Sequence, residues 1–321
     1  MLKVGIPDAV DAELHKLLPS GISLELIPLA PVRAVEVQFW VTPPWTGQAE
    51  RQLPFLQGLR VAQATVAGVD GLLKIMPPGV VLCDGRGIHD ISTAEWAVTA
   101  ILAALKYLPV YDDVRRAGVW SRRKEAEAHY HALHPGSRQF YPHVLSEELH
   151  GKTALIVGYG AIGHAIEQRL RPFGVEFLRV ARRARDGVYG IDQLHELLPL
   201  ADVVVLIVPF TSETTGLIGA TEMALMKQGA LLVNAARGPI VDTDALLAAL
   251  ESNHIQAAVD VTDPEPLPEG HPLWSAPNLL ITPHIASSTP MFMVRGMELA
   301  AAQIRRYMRG EPLENVVRGE Y

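Results

Sequence analysis

The sequence predicts an α/β protein built from two doubly wound parallel sheets, and three observations carry that expectation. Short apolar or β-branched runs alternate with helical patterns through residues 1–94. The same alternation resumes near residue 151 and continues to residue 282. At the head of this second stretch, the run Thr153–Val157 turns at once into Gly158-Tyr-Gly160-Ala-Ile-Gly163, and helical spacing follows at Ile162, Ile166 and Leu170. Strand–helix alternation argues for a parallel sheet with helices on both faces, and a chain of 321 residues suits two such domains.

In the first stretch, strands are expected at 2–6, 23–29, 35–41, 61–66 and 80–83, with helices at 11–18, 48–56 and 68–74 between them. None of these strands runs into a glycine fingerprint, so no dinucleotide is expected there. Ser92 and Thr93 can cap an apolar helix running to about residue 108, read as the crossing into the second domain. After Thr153–Val157, strands are expected at 175–180, 203–209, 231–233, 257–261 and 279–282, six in all, with helices at 192–198, 221–226 and 242–251. A last amphipathic helix from 289 to about 309 returns the chain to the first domain.

A strand, a glycine turn and a helix in that order form the context a dinucleotide fingerprint requires. Gly158 makes the tight turn, Gly160 lets backbone approach a pyrophosphate, and Gly163 lets helix and strand pack closely. The helix start offers N–H groups and a positive dipole end to phosphates. Tyr159, Ala161 and Ile162 complete the expected cofactor-contacting loop.

Composition excludes several other classes. Half the residues are apolar, a fifth are charged and the net charge is −7, which implies no nucleic-acid surface. Cys83 is the only cysteine, so neither an intrachain disulfide nor a cysteine-based metal site is expected. Asp8 and Asp11 come too early for a signal peptide, and the longest apolar run, 203–210, is too short to cross a bilayer. A soluble, cytoplasmic protein is expected. His129, His131 and His134 invite a metal reading, but Pro135 and Gly136 break any helix that could hold all three on one face. A solvated arm or a subunit contact is the expectation for that region. Trp45, Trp120, Leu273 and Trp274 are candidates to line or border the cleft, with core packing the stronger expectation for each aromatic.

Ligands of such sheets bind beyond the carboxyl ends of the strands. Arg237, Glu265 and His284 follow three successive expected strands. An arginine fork can hold a 2-oxo-carboxylate and polarise its ketone. An imidazolium can donate a proton as hydride arrives, and a carboxylate bonded to that ring orients it and stabilises its protonated form. Singly, each residue is as well explained by surface or structural duty; at three successive strand ends they form a candidate catalytic set.

At this point the sequence resembles the D-2-hydroxyacid dehydrogenase family over nearly its whole length. The matching stretches are Ala64-Thr-Val-Ala-Gly68-Val-Asp70, Gly87-Ile-His-Asp-Ile-Ser-Thr-Ala-Glu95, the glycine fingerprint, Val208-Pro-Phe-Thr211-x-x-Thr214, Asn234-Ala-Ala-Arg237-Gly, Asp260-x4-Glu265-Pro and Thr282-Pro-His284. The resemblance implies catalytic roles for Arg237, Glu265 and His284, with Arg237 and His284 also contacting substrate. It implies substrate-carboxylate binding near Ala67 and Gly68, and cofactor contacts from Val208, Pro209, Thr214, Ala235, Ala236 and Asp260. It further implies a homodimer, without nucleic-acid or membrane partners, in which a Rossmann domain at 95–287 is inserted in a flavodoxin-like substrate domain formed by 1–94 and 288–321.

One departure concerns the cofactor. NAD-dependent members carry an acid at the end of the second strand, whereas Glu176 stands at the start of that strand here. Its end reads Ala181-Arg182-Arg183-Ala-Arg185. Guanidinium groups in place of the acid suit a 2′-phosphate, so NADP is expected to be preferred, with NAD possible. Glyoxylate and hydroxypyruvate reductases of the family resemble this pattern, including Arg171-Pro-Phe-Gly174. The alternatives are a 3-phosphoglycerate dehydrogenase-type member, although no further regulatory domain is expected after Tyr321, and an NAD(H)-sensing corepressor-like binding protein.

Overall fold

The computed structural model describes residues 1–139, 143 and 146–319. Parts of the 111–150 arm and the last two residues of the 288–321 segment lie outside the described residues. The chain divides into two compact units, one of Met1–Asp90 with Ser287–Tyr321 and one of Ile91–Ala286.

The first unit carries β1 (Leu2–Pro7), β2 (Ile22–Ile27), β3 (Val35–Glu36), β4 (Phe39–Val41), β5 (Leu56–Gln57), β6 (Val61–Gln63) and β7 (Val81–Cys83). Five of these form a parallel sheet in the order β2-β1-β4-β6-β7, and β3 pairs with β5. One face buries Val4, Ile6, Phe39 and Val61 against Met297, Ala300 and Ile304 of the helix Phe292–Met308. The other buries Ile27, Trp40, Ala62 and Leu72. The C-terminal helix therefore completes this unit, because its apolar stripe has a sheet face to cover.

Two expectations need correction here. The run 35–41 is not one strand: the Val37 N–H bonds to Gln57 O and the Gln38 N–H to Lys3 O, so the chain passes from the small sheet to the large one. The segment Ala12–Leu17 is a 3₁₀ helix rather than an α-helix.

The second unit carries β8 (Thr153–Val157), β9 (Glu176–Ala181), β10 (Tyr189–Gly190), β11 (Val203–Leu206), β12 (Ala230–Asn234), β13 (Ile255–Val259) and β14 (Leu279–Ile281). All are parallel, in the order β10-β9-β8-β11-β12-β13-β14. The edge strand β10 went unexpected because two residues after an Arg185–Val188 turn leave almost no periodicity to read. The strands β8, β11, β12 and β13 are buried on both faces, as a parallel sheet between helices requires.

One of those faces packs on Ala94, Ala97, Ala100, Ile101 and Ala104 of the helix Asp90–Leu105. Small residues let that helix lie close to the sheet. It ends earlier than expected, since Tyr107 takes a left-handed conformation (φ 53°) and a new helix, Leu108–Ala117, starts with proline in its first turn. Among the described residues no single helix is long and apolar enough to cross a membrane.

The three arm histidines are half-buried and each meets a side chain of its own unit, rather than standing on a fully solvated arm. His129 stacks edge-on against buried Tyr107 with ring centroids 4.6 Å apart, His131 Nδ1 lies 2.8 Å from Ser137 Oγ, and His134 Nε2 stands 3.5 Å from Glu147 Oε1. Tyr107 Oη and Lys152 Nζ also donate to Glu147, at 2.9 and 3.0 Å. The cluster anchors the arm to its own unit.

Candidate active site

The glycine turn sits where the sheet reverses its winding, directly after the central strand β8. Gly158 has φ +106°, and a Cβ there would lie 2.5 Å from Ile207 O. A Cβ on Gly163 would lie 2.8 Å from Gly158 O, whereas one on Gly160 would meet nothing within 4 Å. Two glycines are thus demanded by the fold, and the third leaves open space at the N-cap of the helix Ala161–Leu170. An α-helix leaves its first N–H groups without intrahelical partners, so this turn fits the pyrophosphate of a dinucleotide.

Neighbouring loops emerge on the same edge of the sheet. Parallel pairing of Val157 with Val180 puts Ala181, Arg182 and Arg183 beside the glycine turn, while Glu176 lies at the opposite edge, paired with Thr153. Arg185 Nη2 donates to Tyr159 O at 2.5 Å, tying this basic loop to the glycine turn. The Arg179 guanidinium stands 5.6 Å over the Tyr159 ring and is held from behind by buried Glu167. After β11, Val208 and Pro209 lead into a turn in which Thr214 Oγ1 donates to Pro209 O at 2.8 Å and accepts from the Thr211 N–H at 2.8 Å.

The next three strands present the candidate catalytic residues. Buried Asn234 ends β12, where its side chain accepts from the Ala236 N–H at 3.0 Å and donates to Arg237 O at 3.0 Å. That turn carries Ala235 and half-buried Arg237 past the strand end. A Cβ on Gly238 would fall 1.9 Å from Thr262 O, so only glycine allows the Arg237 turn to lie against the loop after β13.

Glu265 stands in that loop, and its Oε1 is 2.6 Å from His284 Nδ1. The hydrogen bond with His284 holds the Glu265 carboxyl below the usual range despite its partial burial, and the charge of Arg237 adds to the effect. His284 itself is left-handed, φ +53°, a conformation that costs a non-glycine residue on the order of 1–3 kcal/mol. It is held there because its N–H donates to Asp260 O at 2.7 Å, while the Asp260 carboxylate accepts from Ile285 N and Ala286 N at 2.9 and 2.8 Å.

Asp260 is 2% exposed, so its expected contact with a ligand stands beside a visible structural duty. Thr282 Oγ1 donates to it at 2.6 Å and accepts from Trp96 Nε1 at 2.9 Å. The supporting positions Asn234 and Trp96 were not read as functional from sequence. A half-buried indole, which seeks an acceptor, was the available signal for Trp96. Ala67 and Gly68 lie in the other unit, on the loop between β6 and the helix Asp70–Ile75.

Leu273 is buried, whereas the core-packing expectation fails for the three tryptophans. Trp45, Trp120 and Trp274 are 62%, 80% and 52% exposed, because each stands at a loop or helix start rather than on a covered face. Trp274 Nε1 donates to Pro268 O, and Arg123 lies 5.8 Å from the Trp120 ring.

A parallel sheet with this turn at its winding reversal defines a dinucleotide-binding protein of the Rossmann class. Residues 98–286 match the family described as D-isomer specific 2-hydroxyacid dehydrogenase, NAD binding domain. The chain belongs to that family of oxidoreductases, which act on CH–OH donors with NAD(P).

A glyoxylate reductase from Thermococcus gammatolerans is 37% identical over 250 residues, covering 75% of this chain and 70% of that protein. A D-3-phosphoglycerate dehydrogenase from Methanocaldococcus jannaschii is 32% identical over 268 residues, 81% of this chain. The match spans 47% of that longer protein, about half its length. A crystal structure of a D-isomer specific 2-hydroxyacid dehydrogenase from Xanthobacter autotrophicus Py2, in complex with NADPH and MES, has a TM-score of 0.78 and 27% identity, with 99% of this chain and 100% of that chain covered.

Proposed function

We propose that the protein reduces a small 2-oxo acid, glyoxylate or hydroxypyruvate, to the 2-hydroxy acid, with NADPH preferred over NADH. The observation that carries this reading is the sequence of three adjacent strand ends: Arg237 after β12, Glu265 after β13 and His284 after β14, with the last two 2.6 Å apart. The glyoxylate reductase relative supports the substrate, and the arginines after β9 support the phosphorylated cofactor.

In this reading Arg237 grips the substrate carboxylate and draws electron density from the ketone oxygen. With Nδ1 engaged by Glu265, His284 keeps Nε2 for the substrate and donates its proton to the developing alkoxide. Glu265 orients the ring and stabilises its cationic form. The nicotinamide, when bound, supplies the hydride that reduces the carbonyl carbon. The loop Gly158–Gly163, Ala181–Arg183, Val208, Pro209, Thr214, Ala235, Ala236 and Asp260 would hold the dinucleotide, and Ala67 and Gly68 would offer amides to the carboxylate. Residues 1–94 and 288–321 would serve as substrate domain and 95–287 as cofactor domain, in a cytoplasmic homodimer.

Initial rates across glyoxylate, hydroxypyruvate, 3-phosphohydroxypyruvate and a bulkier 2-oxo acid test the substrate. The paired change Ala181→Asp with Arg182→Ser tests the cofactor and should move preference towards NADH; an unchanged NADPH/NADH ratio would overturn it.

A further inference from the structure

The basic loop after β9 is less free to meet a phosphate than its sequence implies. Arg182 Nη2 donates to Glu213 Oε1 at 2.9 Å, and Arg182 Nε lies 2.9 Å from Glu213 Oε2, a two-point fork. Glu213 sits in the turn after β11, between Thr211 and Thr214, and no buried packing holds the pair: the side chains are 58% and 60% exposed. Arg185 is committed to the Tyr159 carbonyl. The carboxylate of Glu213 thus stands at the guanidinium that a 2′-phosphate would need.

We infer that Glu213 is a cofactor-selectivity residue, which competes with the 2′-phosphate of NADPH for Arg182 and so narrows the preference for NADPH over NADH. The inference rests on the proposed use of Arg182 for NADPH. Two effects act in the same direction. The phosphate must displace an existing ion pair, and the displaced carboxylate remains nearby as a like charge. An exposed pair is worth little in itself, so its removal shifts selectivity without costing the fold.

Direct titration of the full chain with NADPH and with NADH, without substrate, reads this out as two dissociation constants for wild type, Glu213→Gln and Arg182→Ala. Glu213→Gln should tighten NADPH about 3- to 10-fold, the scale of losing a surface ion pair and one like-charge repulsion, and leave NADH within about 2-fold. Arg182→Ala should weaken NADPH alone. If Arg182→Ala weakens NADPH while Glu213→Gln changes nothing, or changes both cofactors equally, the role of Glu213 is overturned and the cofactor reading stands. If Arg182→Ala leaves NADPH binding unchanged, Arg182 does not hold the 2′-phosphate and this inference falls, while wild-type preference for NADPH over NADH in the same titration tests the cofactor reading separately.

Discussion

His284 Nδ1 and Glu265 Oε1 lie 2.6 Å apart, although 19 residues separate them in the chain, because each follows one of two adjacent parallel strands. The Glu265 carboxylate holds the ring through Nδ1, and reduction requires a proton to be delivered from the ring's other nitrogen. Glu265→Gln keeps the size of the side chain but loses the carboxylate that holds the ring through Nδ1, so kcat should fall at least about tenfold with cofactor affinity unchanged; wild-type turnover would contradict the assignment. His284→Ala should cut turnover by about 10²–10⁴-fold, the usual worth of a positioned acid, with NADPH affinity nearly intact.

Arg237 is held by its own turn, with Asn234 fixing the backbone behind it and Gly238 allowing the close approach to Thr262. Arg237→Lys keeps the charge and loses the planar fork. It should raise KM for the 2-oxo acid and lower kcat together, with cofactor affinity unchanged. An effect confined to cofactor binding would count against substrate recognition by this residue.

The glycine turn separates folding from binding. At Gly158 an added Cβ collides with backbone at 2.5 Å and the φ is positive, so Gly158→Ala should destabilise the fold. Gly160 has extended backbone and open space around it, so Gly160→Ala should keep the wild-type Tm to within a few degrees. Its methyl group would stand where the pyrophosphate approaches, and cofactor affinity should drop at least about tenfold, as expected when backbone approach is blocked. Equal affinity in Gly160→Ala and wild type would remove the turn from the site.

What the sequence made legible follows from what leaves a local signal. Thr153–Val157 is legible as a buried strand because it is apolar or β-branched throughout and runs straight into glycine, and Arg237, Glu265 and His284 can be placed at strand ends because each follows a similar apolar run. The ion pair of Arg182 with Glu213 could not be read, since 31 residues and two further strands separate the partners. Trp96 and Asn234 look like ordinary helix and strand residues until the fold brings Thr282 and the Arg237 turn to them. Val37 and Gln38 carry no mark of the step between two sheets, because that step is defined by partners at Gln57 and Lys3.

Glu147 provides a stability test distant from the chemistry. Burial alone would push its carboxyl up, but His134, Lys152 and Tyr107 together pull it down to about 2, from an ordinary 4.5. A depressed carboxylate stabilises the fold above its unfolded pKa, and the contribution is lost as pH falls. The difference corresponds to ~3 kcal/mol at neutral pH as an upper estimate. Glu147→Gln should therefore lower the urea midpoint at pH 7, and the gap to wild type should close between pH 4.5 and about 2. A gap independent of pH would show that Glu147 acts by packing alone.

The most direct test of the proposed activity is the initial rate of glyoxylate and hydroxypyruvate reduction by the wild-type protein, with NADPH and NADH side by side. Turnover with both acids and a faster rate with NADPH are expected. Measurable cofactor binding without turnover on these or on bulkier 2-oxo acids would contradict the proposed activity and point instead to a dinucleotide-sensing protein.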